Sequence, residues 1–213
     1  MNSLERRTAF SLAAVFAARM LGLFMILPIL PLFAKDLANA TPFLIGLTIG
    51  IYGLTQALLQ IPLGLLSDRI GRKPVIIGGL VVFALGSILA ALTDDIYLII
   101  LARAIQGSGA IAATTMALAA DLSREDHRAK VMAFIGMSIG LAFAVAMVVG
   151  PLISQWAGLS GVFWTTAALA IIGILLISFV VPTPKITRTH RDAGIISAYI
   201  KPVLQQSTLL RMN

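Results

Sequence analysis

The residues of this sequence best suited to chemistry form one short charged run between two long apolar stretches. The run consists of Gly64, Asp68, Arg69, Gly71, Arg72 and Lys73. Its two glycines allow a tight turn, and its basic residues hold that turn on the side of a membrane where positive charge is retained. Asp68 opposes this signal, so we expect it to have a partner. The alternative interpretation is a simple topological hairpin.

Two arginines fall inside apolar stretches that are long enough to cross a membrane. Arg19 lies in the first such stretch, and Arg103 lies in the fourth, with Gln106 one turn later. A membrane-embedded arginine costs at least about 2.5 kcal/mol and indicates a functional site. We expect Arg103 and Gln106 to face one cavity, with Arg19 and Gln56 as further candidates for proton coupling or cavity lining. The structural alternative is that each arginine extends to a nearby membrane interface.

Composition places these residues in an integral membrane protein. The chain has 213 residues, of which 59% are hydrophobic and 12% are charged, with a mean hydropathy of +0.97. A soluble domain needs far more polar surface. The net charge of +7 is divided among short clusters between apolar runs, which favours membrane topology over nucleic-acid binding. The sequence contains no cysteine, which excludes disulfides and thiolate-ligated metals, and we expect neither a metal site nor enzymatic activity.

Six apolar stretches predict an all-α bundle over residues 1–182. Each has the roughly 20 mostly apolar residues that a membrane helix needs. The predicted spans cover about 8–34, 41–67, 74–92, 96–122, 129–156 and 161–181. Beyond them, residues 183–213 form a polar, basic segment, for which we expect either a helix lying on the membrane surface or a simple linker.

The connecting segments predict the orientation. Basic residues cluster at the N-terminus, in the second and fourth loops and after the last span, whereas the opposite side has only Lys35 against Asp36, Asp94 and Asp95. Both termini are therefore expected to be cytoplasmic.

Glycines and prolines within the spans predict close packing and flexible points. Two pairs of glycines are spaced four residues apart, a pattern that lets helices approach closely. These pairs are Gly46 with Gly50 and Gly136 with Gly140. The alternative is loose packing without a moving part. Prolines weaken the helices that contain them; they are Pro28 and Pro31 in span one and Pro151, after Gly150, in span five.

Four segments resemble the signatures of the major facilitator superfamily. Residues 64–77 resemble its loop-two signature, and residues 103–109, which include Gly107 and Gly109, resemble its span-four signature. The stretch from Leu21 to Pro31 is similar to the span-one pattern of its twelve-span drug:proton antiporters. Gly150-Pro151 resembles the antiporter signature of span five. It departs from that signature at Ala146, Ile153 and Ser154, where glycines are usual.

The resemblance implies a role for individual residues. Asp68 would meet the start of a helix in a C-terminal half and latch the outward-facing state. Arg69 would pair with an acid at the end of span four, for which Asp121 is placed. Arg103 would take part in proton-linked switching. The chain would be the N-terminal half of a transporter in the inner membrane, built from 3+3 inverted repeats and driven by a proton gradient without a cofactor.

Three classes of function remain open. The first is a secondary transporter that exports small amphipathic molecules against protons. The second is a uniporter or symporter on the same fold, for which a basic cavity would suit an anionic substrate. The third is a membrane component that does not transport. The sequence does not favour an ATP-driven pump, because no glycine-rich loop ends in Lys-Ser or Lys-Thr.

Six spans alone are expected not to transport, because alternating access needs a second bundle. We expect one face of the bundle to be too polar for lipid, and to carry Arg19, Arg103, Gln56 or Gln106. The bilayer, a small-molecule substrate and a C-terminal half are the predicted partners, and a homodimer is the rival to the second half.

Overall fold

The computed structural model describes residues 3–33 and 37–182, which are almost entirely helical. The predicted segment 183–213 lies outside the described residues. The helices are α1 (Ser3–Phe33), α2 (Pro42–Ile70), α3 (Arg72–Ala91), α4 (Ile96–Ser108), α5 (Ala112–Asp121) and α6 (Glu125–Leu175), followed by a π-helical turn (Leu176–Val180). Five helical stretches within the described residues are long and apolar enough to cross a membrane, with α4 and α5 forming one of them.

The longest helix, α6, contains both of the last two predicted spans. At 51 residues it would extend about 75 Å, far beyond the roughly 30 Å of a bilayer core. Its path breaks at Gly158, whose φ of 64° and ψ of −163° are not helical. Such a φ favours glycine, which has no Cβ to clash. We call residues 125–157 the first arm of α6 and residues 159–175 the second arm.

Contacts with α1 show that the chain reverses at Gly158. Along α1, Ala13 accepts a hydrogen bond from Ser138 and Met25 lies against Gly150, so the first arm runs parallel to α1. In the second arm, Thr166 donates to the Gly22 carbonyl, whereas the later Gly173 lies beside Val15. The second arm therefore runs antiparallel to α1, as a sixth span would.

The fourth predicted span differs from the expectation of one continuous helix. Its helix ends at Ser108, and α5 begins only at Ala112. Gly109 has a φ of −73° and a ψ of 43°, outside the helical range, and glycine has a lower helix propensity than any residue except proline. The break leaves the Gly109 carbonyl free to accept a hydrogen bond from outside its own helix.

Two ends of the bundle are defined by their loops. At the first, which we call the Gly71 end, a single residue with a φ of 101° separates α2 from α3. At the opposite end, the Asp95 end, the Asp95 carboxylate caps α4 by accepting from the backbone of Tyr97 and Leu98. Asn39 also donates to this carboxylate at 3.0 Å, and that hydrogen bond lowers the pKa of Asp95. Asp95 therefore stays ionised at neutral pH.

The core is divided along the bundle axis. One apolar cluster near the Gly71 end includes Leu12, Leu118 and Ile177. A second, toward the Asp95 end, includes Ile29 and Phe163. Between them lie several buried polar side chains, among them Arg19, Arg103 and Gln106, which form the second of the two sites described below.

Candidate functional site

An ion-pair cluster at the Gly71 end is centred on Arg72. Its Nη2 lies 2.6 Å from Oδ1 of Asp68, and its Nε lies 3.2 Å from Oδ2 of Asp121. Its Nη1 donates to the Ser67 hydroxyl at 2.6 Å, and this hydroxyl in turn donates to the Gly64 carbonyl. One planar guanidinium thus joins the end of α2 to the end of α5. We call Asp68, Arg72 and Asp121 the Arg72 relay.

The expected pairing of Arg69 with Asp121 is wrong in this structure, because Arg72 occupies that place. Arg69 is exposed, and its side chain leaves the helix about 100° away from that of its neighbour Asp68. Arg72 follows Asp68 by four residues, the spacing at which side chains meet on one face. Because Gly71 has a positive φ, the chain turns there, and α3 begins beside the end of α5. The expectation that Asp68 has a partner holds, since Arg72 is that partner.

Lys73 makes a contact that the sequence did not predict. Its Nζ donates to the Val181 carbonyl at 2.7 Å and lies 3.5 Å from the Ser178 carbonyl. These carbonyls belong to the last turn before the segment that begins at residue 183, and a cation is favourable at a helix C-terminus. The charged run therefore holds the last span as well as the fourth. No local sequence signal identifies carbonyl acceptors 108 residues away.

The buried polar layer in the middle of the bundle contains both intramembrane arginines. Arg103 Nη1 donates to Gln106 Oε1 at 2.7 Å, and Gln106 Nε2 donates to the Ser87 hydroxyl at 2.7 Å. The Arg103 guanidinium lies over the Tyr52 ring, 4.5 Å from its centroid. Its Nε also donates to the Thr48 carbonyl. Arg103 therefore joins α2, α3 and α4, and it contacts Gln106 as the spacing predicts.

Arg19 contacts the hydroxyl group of the same tyrosine. Its Nη2 lies 3.1 Å from the Tyr52 hydroxyl, 3.0 Å from Gln56 Oε1 and 3.2 Å from the Gly109 carbonyl. The Gly109 carbonyl is available because the helix breaks at that point. Arg19 Nε and Nη1 are buried and have no hydrogen-bond partner. Arg19 is 1% exposed and Arg103 is fully buried, so neither guanidinium reaches the surface of the described bundle.

Three of the four residues expected to contribute to a polar face do not lie at the surface of the bundle. Arg19, Arg103 and Gln106 are all buried inside the bundle, and Gln56 alone among the four predicted residues is partly exposed. These side chains are buried because the helices pack closely. A Cβ on Gly107 would collide with the backbone of Tyr52, and a Cβ on Gly109 would collide with Gly79. Without side chains at these positions, α4 approaches α2 and α3 closely enough to enclose the arginines.

The glycines and prolines of the spans fall into two groups. Gly150 packs against the backbone of Met25, and the prolines lie inside their helices: Pro28 and Pro31 in α1 and Pro151 in α6. The glycine pairs predicted to let helices approach behave differently. An added Cβ at Gly46, Gly50, Gly136 or Gly140 would meet nothing within 4 Å. These pairs make no close helix contact within the described part of the chain.

The sequence matches the Major Facilitator Superfamily over residues 12–209. The chain belongs to that superfamily. It is 54% identical over 209 residues to the inner membrane transport protein YajR of Escherichia coli (strain K12), with 98% of this chain and 46% of that protein covered. It is also 29% identical to the Escherichia coli tetracycline resistance protein, class B, over 82% of this chain and 44% of that protein. The chain thus spans about half the length of these curated relatives.

Solved superfamily structures have the same fold. The crystal structure of the human organic anion transporter MFSD10 matches with a TM-score of 0.76 at 20% identity, covering 92% of this chain and 54% of that one. The fold is consistent with the N-terminal half of a superfamily transporter. The Arg72 relay and the buried polar layer thus lie in a chain of the Major Facilitator Superfamily.

Proposed function

We propose that this superfamily member is one half of a proton-linked secondary transporter that exports small amphipathic molecules by alternating access. The Arg72 relay is the observation that carries the proposal. It joins two helix ends through ion pairs that depend on the ionisation of Asp68 and Asp121. The similarity to a tetracycline resistance protein supports export of small molecules.

Protonation gives the relay a means of switching. Loss of the Asp68 charge converts an ion pair into a weaker neutral hydrogen bond and leaves Arg72 to its remaining partners. A charge-assisted hydrogen bond contributes about 1.5–3 kcal/mol, and a bias of 1.4 kcal/mol changes the ratio of two conformations tenfold. One proton at the relay is therefore sufficient to shift a balanced equilibrium between inward-facing and outward-facing states. A carrier in the second half is the alternative source of that proton.

The exposed sides of α2 and of the first arm of α6 provide a surface against which the second half can pack. Gly46 and Gly50 lie on the exposed side of α2, a helix in which the buried residues are only Thr48, Tyr52 and Ser67. The first arm of α6 exposes Gly136 and Gly140 in the same way. Small residues let a second bundle approach both helices closely. We place the chain in the inner membrane with both termini cytoplasmic, as the distribution of basic residues predicts.

Reconstitution tests the proposal. The purified chain alone, and the chain co-expressed with a second six-span half, are placed in sealed vesicles that carry an imposed pH gradient. Export of ethidium and tetracycline is followed together with the internal pH. We expect gradient-dependent flux only when the second half is present. Flux by the chain alone would favour a homodimer, and proton-independent flux in both samples would favour a uniporter.

A further inference from the structure

The last span ends in a π-helical turn that lies beside the start of α3. The N–H of Val181 donates to the Leu176 carbonyl at 3.2 Å, five residues earlier, whereas an α-helix would use the carbonyl four residues earlier. Such single π-helical turns are rare and frequently lie at functional positions. The turn contacts α1 and α3, and its residue Ile177 is fully buried, as is Val181 after it. The last turn is therefore part of the packed bundle.

Pro182 leaves an acceptor at this turn, and Lys73 lies next to it. In a continuing α-helix, the Ser178 carbonyl would accept a hydrogen bond from the N–H of residue 182. Residue 182 is a proline, which has no N–H. The Nζ of Lys73 lies 3.5 Å from that carbonyl and 2.7 Å from the Val181 carbonyl. One ammonium group therefore supplies donors that the helix lacks at its end, where a cation is also favourable.

Lys73 and Arg72 are consecutive residues in the first turn of α3. Successive side chains of a helix point about 100° apart, so the two cations reach different neighbours. Arg72 extends to Asp68 of α2 and to Asp121 of α5, whereas Lys73 extends to the end of the last span. The two residues are joined by one planar peptide unit, so the backbone cannot move at one of them without moving at the other. A shift of the first turn of α3 therefore changes both sets of contacts.

We infer that Lys73 is a positioning residue that couples the Arg72 relay to the end of the last span. When the charge of Asp68 is lost, Arg72 is released from its 2.6 Å ion pair, and the first turn of α3 is free to move. Lys73 then loses its 2.7 Å hydrogen bond to the Val181 carbonyl, and the last turn opens. The meaning of this coupling for transport rests on the function proposed above, whereas the coupling itself requires only contacts within this chain.

Amide hydrogen exchange of the purified 213-residue chain in nanodiscs tests the inference. Exchange is read over residues 176–181, and residues 159–166, which begin in the apolar cluster toward the Asp95 end, serve as the internal reference. Lys73→Met keeps an unbranched side chain but removes the charge and the donors, whereas Lys73→Arg keeps both. Lys130→Met, at an exposed position of the first arm of α6, is the matched control. Thermal unfolding verifies that each variant is folded.

The first comparison asks whether the ammonium group holds the turn. Lys73→Met should raise the exchange rate over residues 176–181 about three- to tenfold, the effect expected when a partly buried cation is removed from a helix C-terminus. Lys73→Arg and Lys130→Met should each remain within about twofold of wild type. Equal rates in wild type and Lys73→Met would overturn the inference. Exchange in Lys73→Arg as fast as in Lys73→Met would also overturn it, because a cationic donor at this position would then not hold the turn.

The second comparison separates coupling from a purely local cap, because a local cap predicts no response to Asp68. We expect Asp68→Asn to raise exchange over residues 176–181 at least about twofold, and to add nothing in the Lys73→Met background. Residues 159–166 should not change. No rise over residues 176–181, a rise that is additive with Lys73→Met, or an equal rise over residues 159–166 would overturn the coupling. Proton-linked flux without this exchange pattern would reject the coupling alone, and the exchange pattern without any flux would reject transport alone.

Discussion

Replacing Arg72 by glutamine should destabilise the bundle more than any other change in the charged run. The substitution removes the 2.6 Å ion pair with Asp68, whose side chain is 25% exposed, and this pair contributes about 1.5–3 kcal/mol. It also removes the pair with Asp121, whose side chain is 41% exposed, so solvent limits that contribution to about 0–1 kcal/mol. The expected loss is about 1.5–4 kcal/mol. For a chain of this length, that loss corresponds to a fall in melting temperature of about 5–15 °C.

Arg69→Gln is the matched comparison, because it makes the same chemical change three residues earlier. Arg69 is exposed and does not contact Asp121, so its replacement should change stability by no more than about 0.5 kcal/mol. Thermal unfolding of the purified chain in detergent measures both variants. A double-mutant cycle with Asp121→Asn should show coupling to Arg72 but none to Arg69. Coupling of Asp121 to Arg69 instead, or equal destabilisation by the two arginine substitutions, would refute the arrangement of the relay.

Three further predictions concern transport and topology. Asp68→Asn should severely reduce proton-driven flux in vesicles that contain both halves while leaving membrane insertion intact. Asp121→Asn should reduce the flux less, because Asp121 is more exposed than Asp68. Wild-type flux by Asp68→Asn would mean that the charged run is only a topological signal. Arg103→Lys should impair proton coupling, because one ammonium cannot reproduce a planar group that donates in two directions and stacks on Tyr52; full proton-driven flux would contradict this. Single introduced cysteines can be labelled without background, because the chain contains no cysteine. They should be labelled from the cytoplasm at positions 3, 123 and 187 and from outside at positions 39 and 160. External labelling at position 123 would overturn the predicted orientation.

The sequence predicted the interactions that depend on helical spacing. Arg103 and Gln106 are three residues apart and bonded, as two side chains on one helix face are expected to be. The apolar runs coincide with long helices, and the predicted boundaries of the runs differ from the ends of those helices by a few residues at several places. These features follow from local geometry, which a single sequence contains.

Contacts between distant segments were not predictable in the same way. The choice between Arg69 and Arg72 depends on the positive φ of Gly71, which sets the direction of α3. The burial of Arg19 depends on the break at Gly109, which provides an acceptor 90 residues away. The glycines of span four were visible in the sequence as part of the segment that resembles the span-four signature of the superfamily. The partners against which they pack are fixed only by the tertiary arrangement.

The two candidate sites share the elements that form them. The helix α2 contributes Tyr52 to the buried layer and Asp68 to the Arg72 relay. The stretch formed by α4 and α5 contributes Arg103 to the layer and Asp121 to the relay. A movement of α2 against that stretch therefore changes both sets of contacts together, although the sites lie at different depths. Because the break at Gly109 divides the stretch between Arg103 and Asp121, α5 can adjust at the relay without unwinding α4. Arg19 of α1 joins the same two elements, since it contacts Tyr52 and Gln56 of α2 as well as the Gly109 carbonyl.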